Sequence, residues 1–178
     1  MKPELIGRGC FTKCYRLGRN KVRLVSTDPA KECVALGWGS NSRLFPRIKR
    51  IETEVYEMEY FPKVKSLKAA LRPDQYELYR ALRNINVCPT KGDFAYLDEL
   101  RKQFNRLPKW AARALNEQID GLMNYGADIR FEISPRNVAV KNGKLILLDC
   151  FFFASKLREV RGIKKNLKNF LDKRRKVW

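Results

Sequence analysis

The chain has 178 residues, of which 38 are lysine or arginine and 19 are aspartate or glutamate, giving a formal net charge of +19. Hydrophobic residues make up 44% of the sequence, which is enough for a buried core and excludes a wholly disordered or collagen-like chain. Histidine is absent, so histidine-ligated metal sites, serine–histidine–aspartate triads and histidine general bases are excluded.

Two stretches within the first 60 residues alternate apolar and polar side chains, a pattern typical of β-strands. Two strands are predicted between Leu5 and Val25, joined by a turn at Gly18-Arg19-Asn20. Two more are predicted between Arg47 and Tyr60, where charges separate the apolar positions. We therefore expect a small antiparallel sheet at the N-terminus.

A short helix is predicted between these two pairs of strands. Thr27 or Asp28 can cap it, because side-chain oxygens of these residues accept from the first free backbone N–H groups. Pro29 suits the first helical position, where no backbone donor is needed. The helix is expected to run to Leu36 and to end before Gly37.

Beyond Pro62 the apolar residues recur at helical spacing. We expect one or two helices around residues 67–82, the second starting at Pro73, and further helices around residues 96–104 and 108–122. The order is therefore a β-rich half followed by a mostly helical half, which favours an α+β class.

The helical part is followed by a hairpin and a basic segment. Asn142-Gly143 is a strong hairpin signal between predicted strands at Asn137–Val140 and Lys144–Leu148. Residues 156–178 hold ten lysines and arginines with apolar residues at helical spacing. They predict an amphipathic helix, which either docks on the domain as an ordinary terminal helix or recruits a partner.

One glycine-rich segment has the composition of a phosphate-binding loop. Gly7 and Gly9 lie in Leu5–Thr12 and let a backbone come close to phosphates, and Phe11 can fold over them. An ordinary glycine-containing hairpin is the simpler interpretation of the same residues.

Three polar residues near the hairpin could serve phosphoryl transfer. Glu132 precedes Asn137 by five positions, and Asp149 follows the predicted hairpin. Asn137 and Asp149 can converge on one Mg²⁺, which prefers hard oxygen ligands and bridges phosphate oxygens. Glu132 could then orient or deprotonate an attacking hydroxyl group. A surface turn with incidental polar residues is the alternative.

Together these segments resemble the protein-kinase-like fold, and most closely the small serine/threonine kinases of tailed bacteriophages. Ile6–Tyr15 is similar to the glycine-rich loop, with Thr12 where a third glycine usually lies. Val55–Phe61 resembles the last strand and the hinge, with Met58 as the gatekeeper. Asp149-Cys150-Phe151 takes the place of the Asp-Phe-Gly metal ligand.

The resemblance implies a reduced bilobal protein-kinase-like fold of the α+β class with a truncated activation segment. Residues 1–61 would form the N-lobe with the glycine-rich loop, 62–155 the helical C-lobe with a catalytic-loop-like hairpin, and 156–178 the basic C-terminal helix.

The resemblance also implies ATP and Mg²⁺ as cofactors. The catalytic residues would be Glu132, Asn137 and Asp149, of which Asn137 and Asp149 would hold the metal. Backbone groups of the hinge would contact the adenine edge. The residues implied in nucleotide binding are Gly7, Gly9, Phe11, Thr12, Arg23, Glu32 (as the helix glutamate), Met58, Glu59 and Phe61.

Two departures from the kinase pattern affect the expected activity. The catalytic-loop carboxylate is Glu132 rather than aspartate, and a misplacement of about 1 Å can cost about 100-fold in rate. The strand Asn20–Val25 has no obvious phosphate-binding lysine. Leu24 occupies that position in one alignment and Arg23 in another.

Three functions therefore remain open. The first is a Mg²⁺–ATP-dependent serine/threonine protein kinase of bacteriophage type that acts on host proteins. The second is a catalytically inactive kinase-like protein that binds host RNA polymerase or nucleic acid through its basic surface. The third is a small-molecule phosphotransferase, because Ser134–Val138 resembles the loop of antibiotic kinases. Such enzymes usually carry an acidic substrate cleft, which a net charge of +19 does not suggest.

The positive charge itself indicates an acidic partner. A host protein or nucleoprotein, such as RNA polymerase or a ribosome, and nucleic acid bound by the basic tail all fit, whereas a membrane is not expected. The chain has no apolar run of about 18 residues and no signal-peptide pattern. We expect a soluble cytoplasmic protein, in the host cytoplasm if the chain is of phage origin.

Overall fold

The computed structural model describes residues 3–88 and 92–163. The N-terminal half forms one five-stranded antiparallel sheet, and the order of its strands is β1-β2-β3-β5-β4. The strands are β1 (Glu4–Arg8), β2 (Thr12–Arg16), β3 (Lys21–Ser26), β4 (Ile48–Glu52) and β5 (Val55–Glu59). The predicted α+β class with an N-terminal antiparallel sheet is confirmed.

The region between residues 5 and 25 contains three strands where two were predicted. The glycine-rich segment interrupts the alternation, and the Gly9 N–H donates to the Thr12 carbonyl at 2.8 Å to close a turn between β1 and β2. The turn predicted at Gly18-Arg19-Asn20 is confirmed between β2 and β3. Short turns of this kind are hard to separate from a bulge by periodicity alone.

The first helix, α1 (Pro29–Ala35), lies between β3 and β4 in the chain as predicted. Asp28 is its N-cap, and its Oδ1 accepts from the Ala30 N–H at 3.0 Å. Alternation in β3 buries Val22, Leu24 and Ser26 on one face of the sheet. The opposite face of β3 carries the exposed or half-buried residues, as expected for a sheet with one covered face.

The segment that follows α1 is attached to the C-terminal half of the molecule. The Ser40 N–H donates to Gln118 Oε1 at 3.1 Å, and Gln118 is buried. The Leu44 carbonyl accepts from the Leu147 N–H at 2.7 Å. These long-range bonds fix α1 relative to the helices and hairpin that come later in the chain.

The C-terminal half begins with four helices, at the positions that the helical spacing predicted. They are α2 (Leu67–Ala70), α3 (Pro73–Arg83), α4 (Asp93–Phe104) and α5 (Lys109–Leu122). Their apolar faces meet in a core in which Leu100, Phe104, Leu115, Ile119 and Leu122 are fully buried.

Four short strands follow the helices: β6 (Ile129–Phe131), β7 (Val138–Lys141), β8 (Lys144–Leu147) and β9 (Phe151–Phe153). The predicted hairpin is confirmed as β7–β8, with Asn142 and Gly143 at φ values of 52° and 72°. The pairing of β6 with β9 was not predicted, because three-residue strands are too short to show a period.

Residues 154–163 form a helix, and the rest of the predicted basic helix lies outside the described residues. Ile163, one of the apolar residues whose helical spacing predicted an amphipathic helix in 156–178, is exposed. Across residues 3–88 and 92–163, none of the helices has the length and apolarity that crossing a bilayer requires.

Candidate functional site

The site is centred on a buried lysine of α1. Lys31 Nζ donates to Asp149 Oδ1 at 2.8 Å and to the Leu148 carbonyl at 2.9 Å. It also lies 4.0 Å from Asp28 Oδ2. Lys31 is only 7% exposed, so the ammonium group joins the N-terminal unit to the end of the β7–β8 hairpin with little access of water.

The charge of Lys31 is maintained by its two acidic neighbours. Burial lowers the pKa of a lysine, but the carboxylates of Asp149 and Asp28 outweigh this effect and raise the pKa of Lys31 above its usual range. The pKa of Asp28 is shifted mainly by burial, which disfavours the charged form of the carboxyl group. Burial raises its pKa to about 6, against the lowering effect of Lys31. The Lys31 ammonium group therefore stays charged, and the pKa of Asp28 lies above that of an exposed aspartate.

A chain of hydroxyl contacts connects this cluster with the glycine-rich loop. Thr12 Oγ1 lies 2.6 Å from Ser26 Oγ, and Ser26 Oγ accepts from the Asp28 N–H at 3.2 Å. In the same loop, the Phe11 carbonyl accepts from the Thr27 N–H at 3.2 Å. The tip of the loop is thus held beside the first turn of the helix that carries Lys31.

The three predicted catalytic residues lie on two adjacent segments. The Asn137 carbonyl accepts from the N–H groups of Leu148 and Asp149, at 2.8 and 3.4 Å. The Glu132 N–H donates to the Cys150 carbonyl at 2.9 Å. Glu132 and Asn137 therefore flank the backbone of Asp149, although they are far from it in sequence.

A cluster of phenylalanine rings fixes the base of these two segments. Phe131 in β6 contacts Phe104 and Phe151, with ring centroids 5.0 and 5.2 Å apart. The Phe131 N–H also donates to the Tyr96 hydroxyl at 3.1 Å. Since Glu132 directly follows Phe131 and Cys150 directly precedes Phe151, the buried rings fix the backbone next to Glu132 and Asp149.

Two predicted nucleotide-binding residues form ion pairs with residues outside the Lys31–Asp149–Asp28 cluster. Arg23 lies on the face of β3 opposite to Val22 and Leu24, where its guanidinium pairs with Glu57 at 2.8 Å. Glu32 follows Lys31 but lies 3.7 Å from Arg50 of β4. Leu24, the other candidate for the strand lysine position, is a buried core residue.

The predicted hinge lies at the end of β5. Met58 packs against the buried residues of the sheet. Glu59 pairs with Lys141 of the β7–β8 hairpin at 2.5 Å. The Tyr60 N–H donates to the Asn20 carbonyl at 3.0 Å, so strand alternation turns the Phe61 N–H away from β3.

Lys31, which contacts both Asp149 and Asp28, was not recognised from the sequence. A weak signal existed, because Lys31 follows the cap residue Asp28 by three positions and lies between the apolar residues Ala30 and Cys33. A charged residue within an apolar stretch is buried only with a partner. The partner, Asp149, is 118 positions away and could not be recognised from local sequence.

The side-chain oxygens of Asn137 and Asp149 suit a metal ion that keeps most of its bound water molecules. Within residues 3–88 and 92–163, no three cysteine or acidic side chains converge as a preformed metal site. Asn137 and Asp149 offer one amide and one carboxylate oxygen, and the Asp149 side chain is 47% exposed. Such a pair fits Mg²⁺ bound partly by substrate phosphates.

A small, partly open cavity lies next to the cluster. It has a volume of about 30 Å³ and is lined by Lys31 and Asp149, among others. A cavity of this size has room for water but not for a nucleotide.

The chain matches no family model and no curated protein sequence. A solved structure described as the streptomycin–ATP–APH(2")-IIa ternary complex is similar at 12% identity with a TM-score of 0.39. The similarity covers 88% of this chain and 69% of that one. It is too weak to support an inference about fold or function.

Proposed function

We propose that the chain is a Mg²⁺–ATP-dependent phosphotransferase with a reduced kinase-like architecture, and that it phosphorylates serine or threonine in a protein. The observation that carries the proposal is the Lys31–Asp149 pair at 2.8 Å, with Asn137 and Glu132 on the adjoining segments. The order of a glycine-containing hairpin, a helix, a strand ending in a hinge, and a polar loop before Asp149 supports it.

Lys31 provides the phosphate-binding charge that β3 lacks. Neither strand candidate is suitable, because Arg23 is paired with Glu57 and Leu24 is in the core. A lysine ammonium held by a carboxylate can exchange part of that contact for a phosphate oxygen. Its place on α1 near the glycine-rich loop would orient the phosphates toward Asp149.

Asn137 and Asp149 would hold Mg²⁺, which would neutralise charge on the phosphates. Glu132 is exposed and would accept the proton of the attacking hydroxyl group. Gly7 and Gly9 let the backbone of the β1–β2 hairpin come close to the phosphates. In phosphoryl transfer most of the catalytic effect comes from positioning and electrostatics, so few chemical groups are required.

Calorimetric titration of ATP with and without Mg²⁺ tests the proposal. We expect Mg²⁺-dependent binding that Asp149→Asn abolishes, because the amide cannot supply the anionic ligand. Asp98→Asn changes an exposed aspartate of α4 in the same way and is the matched control. Equal binding by the parent and Asp149→Asn would refute the assignment of the metal ligand.

Transfer is tested separately with γ-labelled ATP and an acidic protein substrate. We expect label on serine or threonine of the substrate or of the chain itself, and loss of this label in Lys31→Met. Nucleotide binding without any transfer would refute the catalytic part of the proposal.

The second candidate is a non-catalytic binding protein, and one contact favours it. Asp149 Oδ1 is already held by Lys31, which competes with a metal for the same oxygen. In that case the basic surface is the functional part, and an acidic host protein or nucleic acid is the partner. Affinity for a nucleic acid should fall with salt, with a slope of about −0.9 for each neutralised phosphate.

Four-fold alanine substitution of Lys173, Arg174, Arg175 and Lys176 tests this candidate. The variant should bind polymerase or nucleic acid more weakly and with a shallower salt slope than the parent. The same affinity and slope in both proteins would show that these charges do not recruit the partner.

A further inference from the structure

The N-terminal sheet has an open face opposite to its core, which we call the outer face. Along β3, Val22 and Leu24 are buried in the core, whereas Lys21 and Val25 point to the other side and are exposed. The pairing registers place one residue of each strand in a row across this face. In order across the sheet, each opposite the next, they are Leu5, Tyr15, Arg23, Glu57 and Lys49.

An apolar band crosses the outer face. Leu5 lies opposite Tyr15, and Val25 lies opposite Val55 on the neighbouring strands. Tyr15 and Val25 are diagonal neighbours on β2 and β3, a separation that an aromatic side chain can bridge. Leu5 and Val25 are 51% and 39% exposed. The band therefore offers apolar area that a partner can bury.

Both carboxylates of the outer face are already paired. Glu57 is bound by Arg23 at 2.8 Å, and Glu59 is bound by Lys141 at 2.5 Å. The hydrogen bond and the charge of Arg23 outweigh burial and lower the pKa of Glu57, so this carboxylate stays ionised within its pair. The face therefore offers little to a cationic partner.

Three lysines of the same face have no acidic partner. Lys13, Lys21 and Lys49 are exposed, and none of them forms an ion pair with a residue of 3–88 or 92–163. The charges of Lys21 and Lys49 also lower the pKa of Glu57, which places both lysines near the Arg23–Glu57 pair. Uncompensated positive charge thus surrounds the apolar band.

We infer that the outer face docks an acidic amphipathic helix of a partner protein. Carboxylates of that helix would meet Lys13, Lys21 and Lys49, and its apolar side chains would cover the band. A helix suits the face of a sheet because it satisfies its own backbone hydrogen bonds, whereas an extended segment needs a sheet edge. The inference concerns partner binding and does not depend on nucleotide chemistry.

Two other occupants fit the outer face less well. Single-stranded nucleic acid binds a sheet by stacking bases on several aromatic side chains, but Tyr15 is the one aromatic residue on this face of β1 to β5. A second copy would bring another chain of net charge +19 against the lysines, and the two would repel each other.

Fluorescence anisotropy with a designed peptide tests the charge of the surface. The probe is a labelled peptide of about 14 residues, long enough as a helix to cross five strands, with glutamate and leucine on opposite sides. Lys13→Gln, Lys21→Gln and Lys49→Gln together should weaken its binding by about 3–100-fold, because each exposed ion pair contributes little alone.

The matched control changes three exposed lysines of the helical half to glutamine. They are Lys68 in α2, Lys102 in α4 and Lys109 in α5. This variant loses the same net charge but keeps the outer face, so it should bind the peptide as the parent does. Equal affinities of the two three-fold variants would overturn the inference.

The apolar band is tested with Leu5→Thr and Val25→Thr in one protein, since threonine is well suited to strands. Binding of the leucine peptide should weaken by about 3–30-fold, whereas a peptide with glutamine in place of leucine should bind both proteins equally. Leu36→Thr with Ile163→Thr changes side chains of similar exposure elsewhere and should have no effect. Equal binding of the two peptides by the parent would show that the inference is wrong.

Carbodiimide cross-linking locates the bound peptide, because it joins carboxylates to lysine amines that touch them. We expect cross-links at Lys13, Lys21 or Lys49, identified by mass spectrometry. Cross-links confined to other lysines would overturn docking on this face. A labelled oligothymidylate that binds more tightly than the peptide and is released by the three-fold change of these lysines would overturn a protein partner. A dimer of the chain that the same change dissociates would do so as well.

Discussion

Lys31 Nζ and Asp149 Oδ1 lie 2.8 Å apart, although the two residues are separated by 118 positions in the chain. The pair connects α1, which belongs to the N-terminal half, to the end of the β7–β8 hairpin. Lys31 is buried, whereas the Asp149 side chain remains 47% exposed. One oxygen of the carboxylate therefore fixes the helix while the side chain keeps an accessible surface.

Replacing Lys31 with methionine should destabilise the protein by about 1–3 kcal/mol, because buried Asp28 loses its cation and Leu148 its donor. A double-mutant cycle with Asp149→Asn should give a coupling energy of about 0.5–3 kcal/mol. Urea unfolding of the four proteins measures both quantities.

The exposed pair Glu77–Arg80 on α3 is the control for that cycle. A surface pair three residues apart on a helix should show a coupling below about 0.5 kcal/mol. If the two cycles gave equal coupling energies, Lys31 and Asp149 would contribute no more than a solvent-exposed pair.

Asp28 should make stability depend on pH between about 4 and 6. Burial raises its pKa in the folded state to about 6 from 3.8, so the folded protein binds more protons than the unfolded one in this window. The contribution of Asp28 to stability is thus full below the unfolded pKa and is lost as pH rises through about 6. The loss is on the order of 2–3 kcal/mol.

Asp28→Asn keeps a side chain that can cap α1 but cannot ionise. Relative to the parent, this variant should gain stability as pH rises from 4 to 7 in urea unfolding at constant salt. A difference in the free energy of unfolding that stays constant over this range would contradict a titrating Asp28.

Gly121→Ala should be strongly destabilising. The added Cβ would lie 2.0 Å from the Trp38 carbonyl oxygen, a backbone atom that cannot move without shifting the segment after α1. We expect the free energy of unfolding to fall by about 1–3 kcal/mol. We also expect Trp38 to pack more weakly, which a change in its fluorescence emission would show.

Gly162→Ala is the matched substitution in a helix, since no atom lies within 4 Å of its added Cβ. It should stabilise the protein by about 0.5–1 kcal/mol through helix propensity. Equal effects of the two substitutions would show that the Gly121 contact is not close in solution.

Glu132→Gln should lower the rate of phosphorylation by about 10²–10⁴-fold, as expected when a general base is lost. Stability should change little, because the side chain is exposed and its backbone N–H, which bonds Cys150, is retained. Glu132→Asp should retain activity. Unchanged turnover in Glu132→Gln would exclude this carboxylate as the base.

Local patterns were sufficient for most of the secondary structure. Asp28 and Pro29 begin α1, and Asn142-Gly143 forms the β7–β8 hairpin, because caps and two-residue turns depend on a few adjacent residues. Alternation identified β4 and β5, and helical spacing identified α3 to α5. The prediction failed for short strands. β1 and β2 were predicted as a single strand, and β6 and β9 were not recognised.

The candidate site was only partly predictable. The sequence indicated Glu132, Asn137 and Asp149, and their backbone segments do lie side by side; their chemical roles stay predictions. The resemblance implied Arg23 and Glu32 in nucleotide binding; in the structure they pair with Glu57 and Arg50, and their implied roles also stay predictions. A strand or helix position gives no information about which neighbour a charged side chain will meet across the sheet.

The sequence by itself determined the α+β order, the basic charge and the hairpin that leads to Asp149, since each depends on composition or on residues close in the chain. Only the tertiary structure decided that Lys31 is the cation of the site. A lysine can remain buried when it has a carboxylate partner that compensates for lost hydration. That partner is brought to it by the packing of α1 and the segment after it on α5 and β8, a long-range arrangement that no local pattern records.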